Sequence, residues 1–153
     1  MNASRSIPLD GEIRDGRHHF TVRVYYEDTD FTGIVYHANY LRFFERGRTE
    51  FLRAIGVEHA ALLALPQPCA FAVTRLSIAY RRPARVDDAL EVRTLNYRIS
   101  SARTGVRQRV LKAGQLLTEA DVEIVCIGLD GRPCRPPPEL TRRLAPYLSK
   151  AAP

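Results

Sequence analysis

Residues 25–56 read YYEDTDFTGIVYHANYLRFFERGRTEFLRAIG, and the hydrophobic period changes within them. Leading into this stretch, Phe20, Val22, Val24 and Tyr26 alternate with Thr21, Arg23, Tyr25 and Glu27, the period-two pattern of a half-buried strand. From His37 onward Tyr40, Leu41, Phe44, Gly47, Arg48, Phe51, Leu52 and Ile55 recur at helical spacing and predict one wide apolar stripe. Gly56 falls where a left-handed residue ends a helix, with Val57 beyond it to complete a Schellman-type stop. The spacing therefore predicts a helix over 37–55, about 28 Å long at ~1.5 Å per residue. Gly47 in its middle costs about 1 kcal/mol relative to alanine, which points to a close backbone approach on that face. Arg46 and Glu50 predict an i,i+4 ion pair on a more exposed one.

Downstream, a second helical piece (EHAALLAL, 58–65) is closed by Pro66 and Pro68, and the pattern turns strand-like. AFAVTRLSIAYRR (70–82), ALEVRTLNYRIS (89–100), VRQRVLKAG (106–114) and QLLTEADVEIVCIGLD (115–130) follow one another through short links. Four such strands predict an antiparallel meander. PCRPPPELTRRLAPYLSK (133–150) predicts a proline-interrupted exit into a short terminal helix. One strand, one long helix and four long strands make an α+β domain whose sheet buries a face on the helix and wraps around it. Long strands leave edges, which proteins commonly pair between subunits, so a homodimer or homotetramer is expected.

A chain of 153 residues fits a single domain. The reading divides it into a loose tail over 1–19 and one domain over 20–149. Hydrophobic residues at 45% and charged ones at 26% are enough for a real core and argue against general disorder. Cys69, Cys126 and Cys134 are odd in number and contain no C-x-x-C pair, which reads as free thiols in a reducing compartment. No apolar leader and no run of about 18 apolar residues is present, so a cytoplasmic protein without a transmembrane segment is expected. The net charge of +6 favours anionic partners. It comes without the Gly-rich RNP segment, paired Cys/His fingers or helix-turn-helix spacing of nucleic-acid readers, and a phosphorylated small molecule fits the charge equally well.

Between strand and helix stand Glu27, Asp28 and Asp30, where the unpaired N–H groups and the dipole of a helix start favour negative charge. Asp-Thr-Asp is also ordinary turn chemistry, with Asp30 or Thr32 as a cap. Capping alone leaves Gly33, the aromatic Tyr25, Tyr26, Phe31 and Tyr36, and His37 without a task. A carboxylate beside a helix start with a histidine following it is a candidate hydrolytic site.

The stretch VYYEDTDFTGIVYHANYLRFFERGRTEFLR resembles the first motif of the hotdog-fold acyl-CoA thioesterases of the 4-hydroxybenzoyl-CoA thioesterase family, in the branch associated with the bacterial Tol–Pal cell-envelope system. AYRRPARVDDALEVRT resembles the second marker of that family, and the likeness spans about Phe20 to Asp130. The resemblance implies a five- or six-stranded antiparallel sheet wrapped around one long helix, in dimers that often pair into tetramers. It implies Asp30 as the catalytic carboxylate and His37 as the second functional residue. Phe31 and Thr32 stand where relatives commonly carry small residues.

The chemistry so implied is coherent. Thioester hydrolysis builds negative charge on the carbonyl oxygen, which a backbone N–H near His37 can receive. Asp30 then either attacks the carbonyl to form a mixed anhydride or deprotonates a water. Gly33, Tyr36 and Asn39 are expected to shape the pocket, and Arg82, with Arg75, Arg81 and Arg85, to meet coenzyme A phosphates. Asp28 reads as a turn or supporting group, and Glu45 and Glu50 as surface ion pairs. His18, His19 and His59 lack ligand spacing, so no metal or other cofactor is implied. The expected partner is an acyl-CoA or an acyl carrier protein. The rival function is a non-catalytic module that binds either one and serves the cell envelope; a hotdog dehydratase fits the position of D-x-D less well.

Overall fold

The computed structural model describes residue 9 and residues 11–149. Strands β1 (Glu12–Arg14), β2 (Arg17–Arg23), β3 (Cys69–Tyr80), β4 (Ala89–Ser100), β5 (Arg103–Lys112) and β6 (Gln115–Gly128) form one antiparallel sheet. Its spatial order is β1-β2-β4-β5-β6-β3. Helix α1 (Tyr40–Ala54) packs on β4 and β2, α2 (His59–Leu63) on β3, and α3 (Pro138–Leu144) follows the last strand.

Two expectations are corrected. The sequence reading starts the domain at Phe20, whereas the sheet begins at Glu12; residues 1–8 and 10 of the expected tail lie outside the described residues. Asp15 and Gly16 both have positive φ, 52° and 71°, which folds β1 back on β2 in a tight hairpin turn. The meander is also only partial. β4, β5 and β6 follow one another, but β3 pairs with β6 at the far edge, and β4 has β2 as its other neighbour. Alternation says which face a side chain takes and nothing about which strand lies alongside. The link 81–88 carries no two-residue hairpin turn and crosses the end of the sheet instead.

Helix α1 is buried through Tyr40, Phe43, Phe44, Gly47 and Phe51. Phe43 lies outside the stripe drawn from the sequence, and Leu41, inside it, is exposed. Full burial of each phenylalanine contributes roughly 1.5–3 kcal/mol. Gly47 is where helix and sheet touch: a Cβ there would stand 2.8 Å from Val92 Cγ1 and 3.1 Å from Gln108 Nε2. That closeness lets the buried Gln108 amide donate to the Phe44 carbonyl and to Thr94 Oγ1, both at 2.9 Å. Arg48 in turn donates to Gln108 Oε1 at 2.8 Å, which explains an arginine on an apolar stripe.

The helix stops as its sequence predicts. Gly56 has φ of 82°, its N–H donates to the Arg53 carbonyl at 2.9 Å, and the Val57 N–H reaches Leu52 at 2.8 Å. Glu50 lies 3.6 Å from Arg53, and that contact, not the expected pair with Arg46, is the Glu50 ion pair among the described residues. A second core gathers Phe51, Ile55, Val57 and Leu62 with Leu140 and Leu144 of α3. Cys69 and Cys126 are buried in it and Cys134 packs against it, all three free thiols, with the Cys126 and Cys134 sulfurs 3.6 Å apart. Much of the basic charge is spent across strands, as in Arg107–Asp121 at 3.0 Å and Arg103–Glu123 at 2.8 Å.

Candidate active site

The loop between β2 and α1 is a miniature hairpin. Thr29 bridges Val35, the Asp30 N–H donates to Ile34 at 3.1 Å, and the Gly33 N–H returns to the Asp30 carbonyl at 3.0 Å. Such a turn closes through a residue at positive φ, and Gly33 supplies it at 80°. A Cβ on Gly33 would meet nothing nearer than Arg85 Nη1 at 4.0 Å. Glycine supplies the backbone conformation that this turn requires. Phe31 projects from the tip into solvent.

Where the turn of this hairpin closes, the Asp30 carboxylate accepts the Thr32 N–H at 2.8 Å and the Thr32 hydroxyl. The hydroxyl bond chiefly, then the N–H, holds the Asp30 carboxyl below its ordinary value, with a smaller contribution from His37. The carboxylate therefore stays ionised to lower pH than an ordinary aspartate.

His37 opens the helical run in a 3-10 turn, His37–Asn39, that leads straight into α1. The N–H groups of His37 and Ala38 donate to no acceptor among the described residues. The His37 ring lies 4.6 Å from that of Tyr36, centroid to centroid, and is exposed. Its carbonyl accepts the Tyr80 hydroxyl at 2.7 Å, and the two rings stand edge to face. Tyr80 and Thr32 are thus neighbours of the site that spacing did not single out. Tyr80 is far along the chain, and Thr32 reads as an alternative cap.

Asp28 takes the supporting place that the sequence reads for it, and Asn39 turns toward it. Both are buried, and Asn39 Nδ2 donates to Asp28 Oδ1 at 2.7 Å, so the Asn39 amide faces inward. Tyr36 is half exposed beside His37. Arg82 follows β3 with an exposed side chain, while Arg85 is the arginine whose guanidinium comes nearest Gly33. Glu45 pairs with Arg48. A cavity of about 80 Å³ lies at the other end of α1, lined by Phe51, Phe71, Asn96, Ile99 and Leu140, and neither Asp30 nor His37 reaches it. Among the described residues no group of three or more His, Cys, Asp or Glu side chains is placed to hold a metal ion.

A carboxylate held ionised in the loop ahead of a helical run whose first N–H groups are unused is a combination suited to acyl transfer. Residues 24–144 match the thioesterase-like superfamily. The chain belongs to that superfamily. This thioesterase-like chain is 44% identical over 110 residues to the acyl-CoA thioesterase YbgC of Haemophilus influenzae, covering 72% of this chain and 80% of that one. It is 45% identical over 107 residues to the acyl-CoA thioester hydrolase YbgC of Escherichia coli, covering 69% and 78%. A probable thioesterase from Bartonella henselae, solved by crystallography, superposes with a TM-score of 0.77 at 42% identity over 79% of this chain and 99% of the other. The six-stranded sheet around α1 is the hotdog fold of this thioesterase-like family.

Proposed function

We propose that the protein is an acyl-CoA thioesterase that converts a short-chain or aromatic acyl thioester to the free acid and coenzyme A. The observation that carries this reading is the Asp30 carboxylate, held ionised by Thr32 and within electrostatic reach of His37, whose N–H opens the helical run unused. Two relatives named for acyl-CoA thioester hydrolysis at 44% and 45% identity support the substrate class. In the proposed reaction the thioester oxygen lies at the helix start, where the His37 N–H stabilises the negative charge that develops. Asp30 either attacks the carbonyl carbon to form a mixed anhydride that water then cleaves to the free acid, or takes a proton from a water that attacks directly, and in both routes the thiolate of coenzyme A departs. The thiolate is a good leaving group, so the His37 imidazole serves to position rather than to donate a proton. Arg82, Arg81 and Arg85, on the link beside the Asp30 hairpin, offer charge-assisted contacts to the phosphates.

Asp30 and His37 are open to solvent in a single chain, whereas charge stabilisation is strongest where water is excluded. β3 is an edge strand of twelve residues whose outer side carries no partner strand among the described residues, with Val73, Leu76 and Tyr80 exposed along it. Pairing of that edge with a second copy would cover the site, and we assign the protein a homodimer, or a tetramer of two such dimers. The proposed setting is the cytoplasm, in service of the Tol–Pal envelope system, with acyl carrier protein as a second possible thioester donor.

The experiment is free-thiol release from a panel of acyl-CoA thioesters by wild type and Asp30→Asn in parallel. Turnover is expected from wild type alone, with the same folded oligomer in both. Wild-type rates in Asp30→Asn would remove Asp30 from the reaction. Binding of coenzyme A by wild type without turnover of any thioester would favour a non-catalytic module.

A further inference from the structure

Asp28, two residues before Asp30, is the more deeply buried of the two carboxylates, at 4% exposure. Its oxygens are divided between two directions. Oδ2 accepts the Tyr25 N–H at 2.7 Å, at the start of the loop, and Oδ1 accepts Asn39 Nδ2 at 2.7 Å, from the 3-10 turn that leads into α1. The Asp28 carbonyl takes the Tyr36 N–H at 2.9 Å. His37 is therefore bracketed, with Tyr36 tied to Asp28 on one side and Asn39 on the other. No cation lies within ion-pair distance of Asp28 among the described residues. A buried carboxylate that lacks one is costly compared with a neutral peg. What a carboxylate offers here is two separate acceptors that span loop and helix at once.

We infer that Asp28 and Asn39 form a positioning pair that sets the distance between Asp30 and the first turn of α1. The inference rests on the reading of Asp30 as the reacting carboxylate. Asp30 is otherwise anchored only within its own hairpin, through Thr32, Gly33 and Ile34. The Asp28–Asn39 bond is the side-chain link from that segment to the helix that carries the oxyanion donors. Displacement of a reacting group by about 1 Å costs on the order of 10²-fold in rate. Asn39 thus acts through Asp28 rather than on the acyl group.

The test uses the full chain with benzoyl-CoA and butyryl-CoA as probes, in Asp28→Asn, Asn39→Asp and the double variant that exchanges the two. Each single variant is expected to lose about 10²-fold in kcat, with KM held within about twofold because substrate binding is untouched. The double variant rebuilds a carboxylate–amide bond with its partners reversed and is expected to recover most of the loss. Amide exchange at Tyr36 and Asn39 is expected to quicken at least tenfold in the single variants, while Phe51 in α1 keeps its protection. A folded single variant with wild-type kcat overturns the inference, and so does a double variant no faster than the singles. Should Asp28→Asn fail to fold, Asn39→Ser removes one bond only, and wild-type kcat there is equally fatal.

Asp30→Asn separates the two readings, since it is expected to stop turnover and leave Tyr36 exchange unchanged. If wild type turns over neither probe, the thioesterase reading fails for them, and exchange alone still tests the pair. Unaltered exchange in Asp28→Asn would refute the pair whatever the turnover.

Discussion

The Tyr80 hydroxyl donates a 2.7 Å hydrogen bond to the His37 carbonyl, tying the end of β3 to the turn that opens α1. Tyr80 also packs edge to face on Tyr40, 5.6 Å between centroids, so its ring is held on the helix it braces. Tyr80→Phe keeps that packing and deletes one bond, at a cost of about 0.5–1.5 kcal/mol. A modest fall in melting temperature is expected, with a several-fold loss in kcat as the His37 N–H loses its aim. Thermal melts and steady-state kinetics on the same preparation check both.

Thr32 holds the Asp30 carboxyl below its ordinary value. The Thr32 hydroxyl, then its N–H, lower the Asp30 carboxyl from its ordinary value of 3.8, so wild-type activity should persist below that pH. Thr32→Val removes the hydroxyl and spares the N–H bond. Its acidic limb in kcat/KM is expected to move up toward 3.8. A depressed carboxyl contributes stability above its unfolded value and loses it as pH falls through the folded one. At so exposed a group the effect on folding is screened, so the shift belongs in the rate profile while the melting temperature stays put.

Gly47→Ala pits propensity against space. Alanine improves the helix by about 1 kcal/mol, but its Cβ would meet Val92 at 2.8 Å, Gln108 at 3.1 Å and Thr94 at 3.2 Å. Overpacking of that kind costs about 1–3 kcal/mol, and here it also crowds the bond from Gln108 to Phe44. Net destabilisation of about 0–2 kcal/mol is expected in denaturant titration. A stabilised variant would mean that the sheet yields at this point.

The parts of this molecule legible in its sequence are those governed by local chemistry. The long helix, its glycine stop at Gly56, the close contact at Gly47 and the strands beyond Pro68 all follow from period and turn residues. The family motif likewise brought Asp30 and His37 forward together. Strand order escaped the reading because β3 and β4 are consecutive in sequence yet separated in the sheet. The first hairpin escaped because Asp15-Gly16 lies among residues that read as a polar tail. Within the site, the inward turn of Asn39 and the arrival of Tyr80 depend on tertiary packing, which no spacing within residues 25–56 encodes.

The hairpin that carries Asp30 leans on a wall supplied much later in the chain. Val35 donates to Ala84 at 2.8 Å, Val24 to Asp88 and Asp87 to Val24, both at 2.9 Å. Synthesis proceeds from the N-terminus at roughly 5–20 residues per second, so for several seconds a nascent chain holds Asp30, His37 and the whole of α1 without that wall. A polypeptide halted before Ala84 would possess every residue of the motif and still lack the surface on which the motif is assembled.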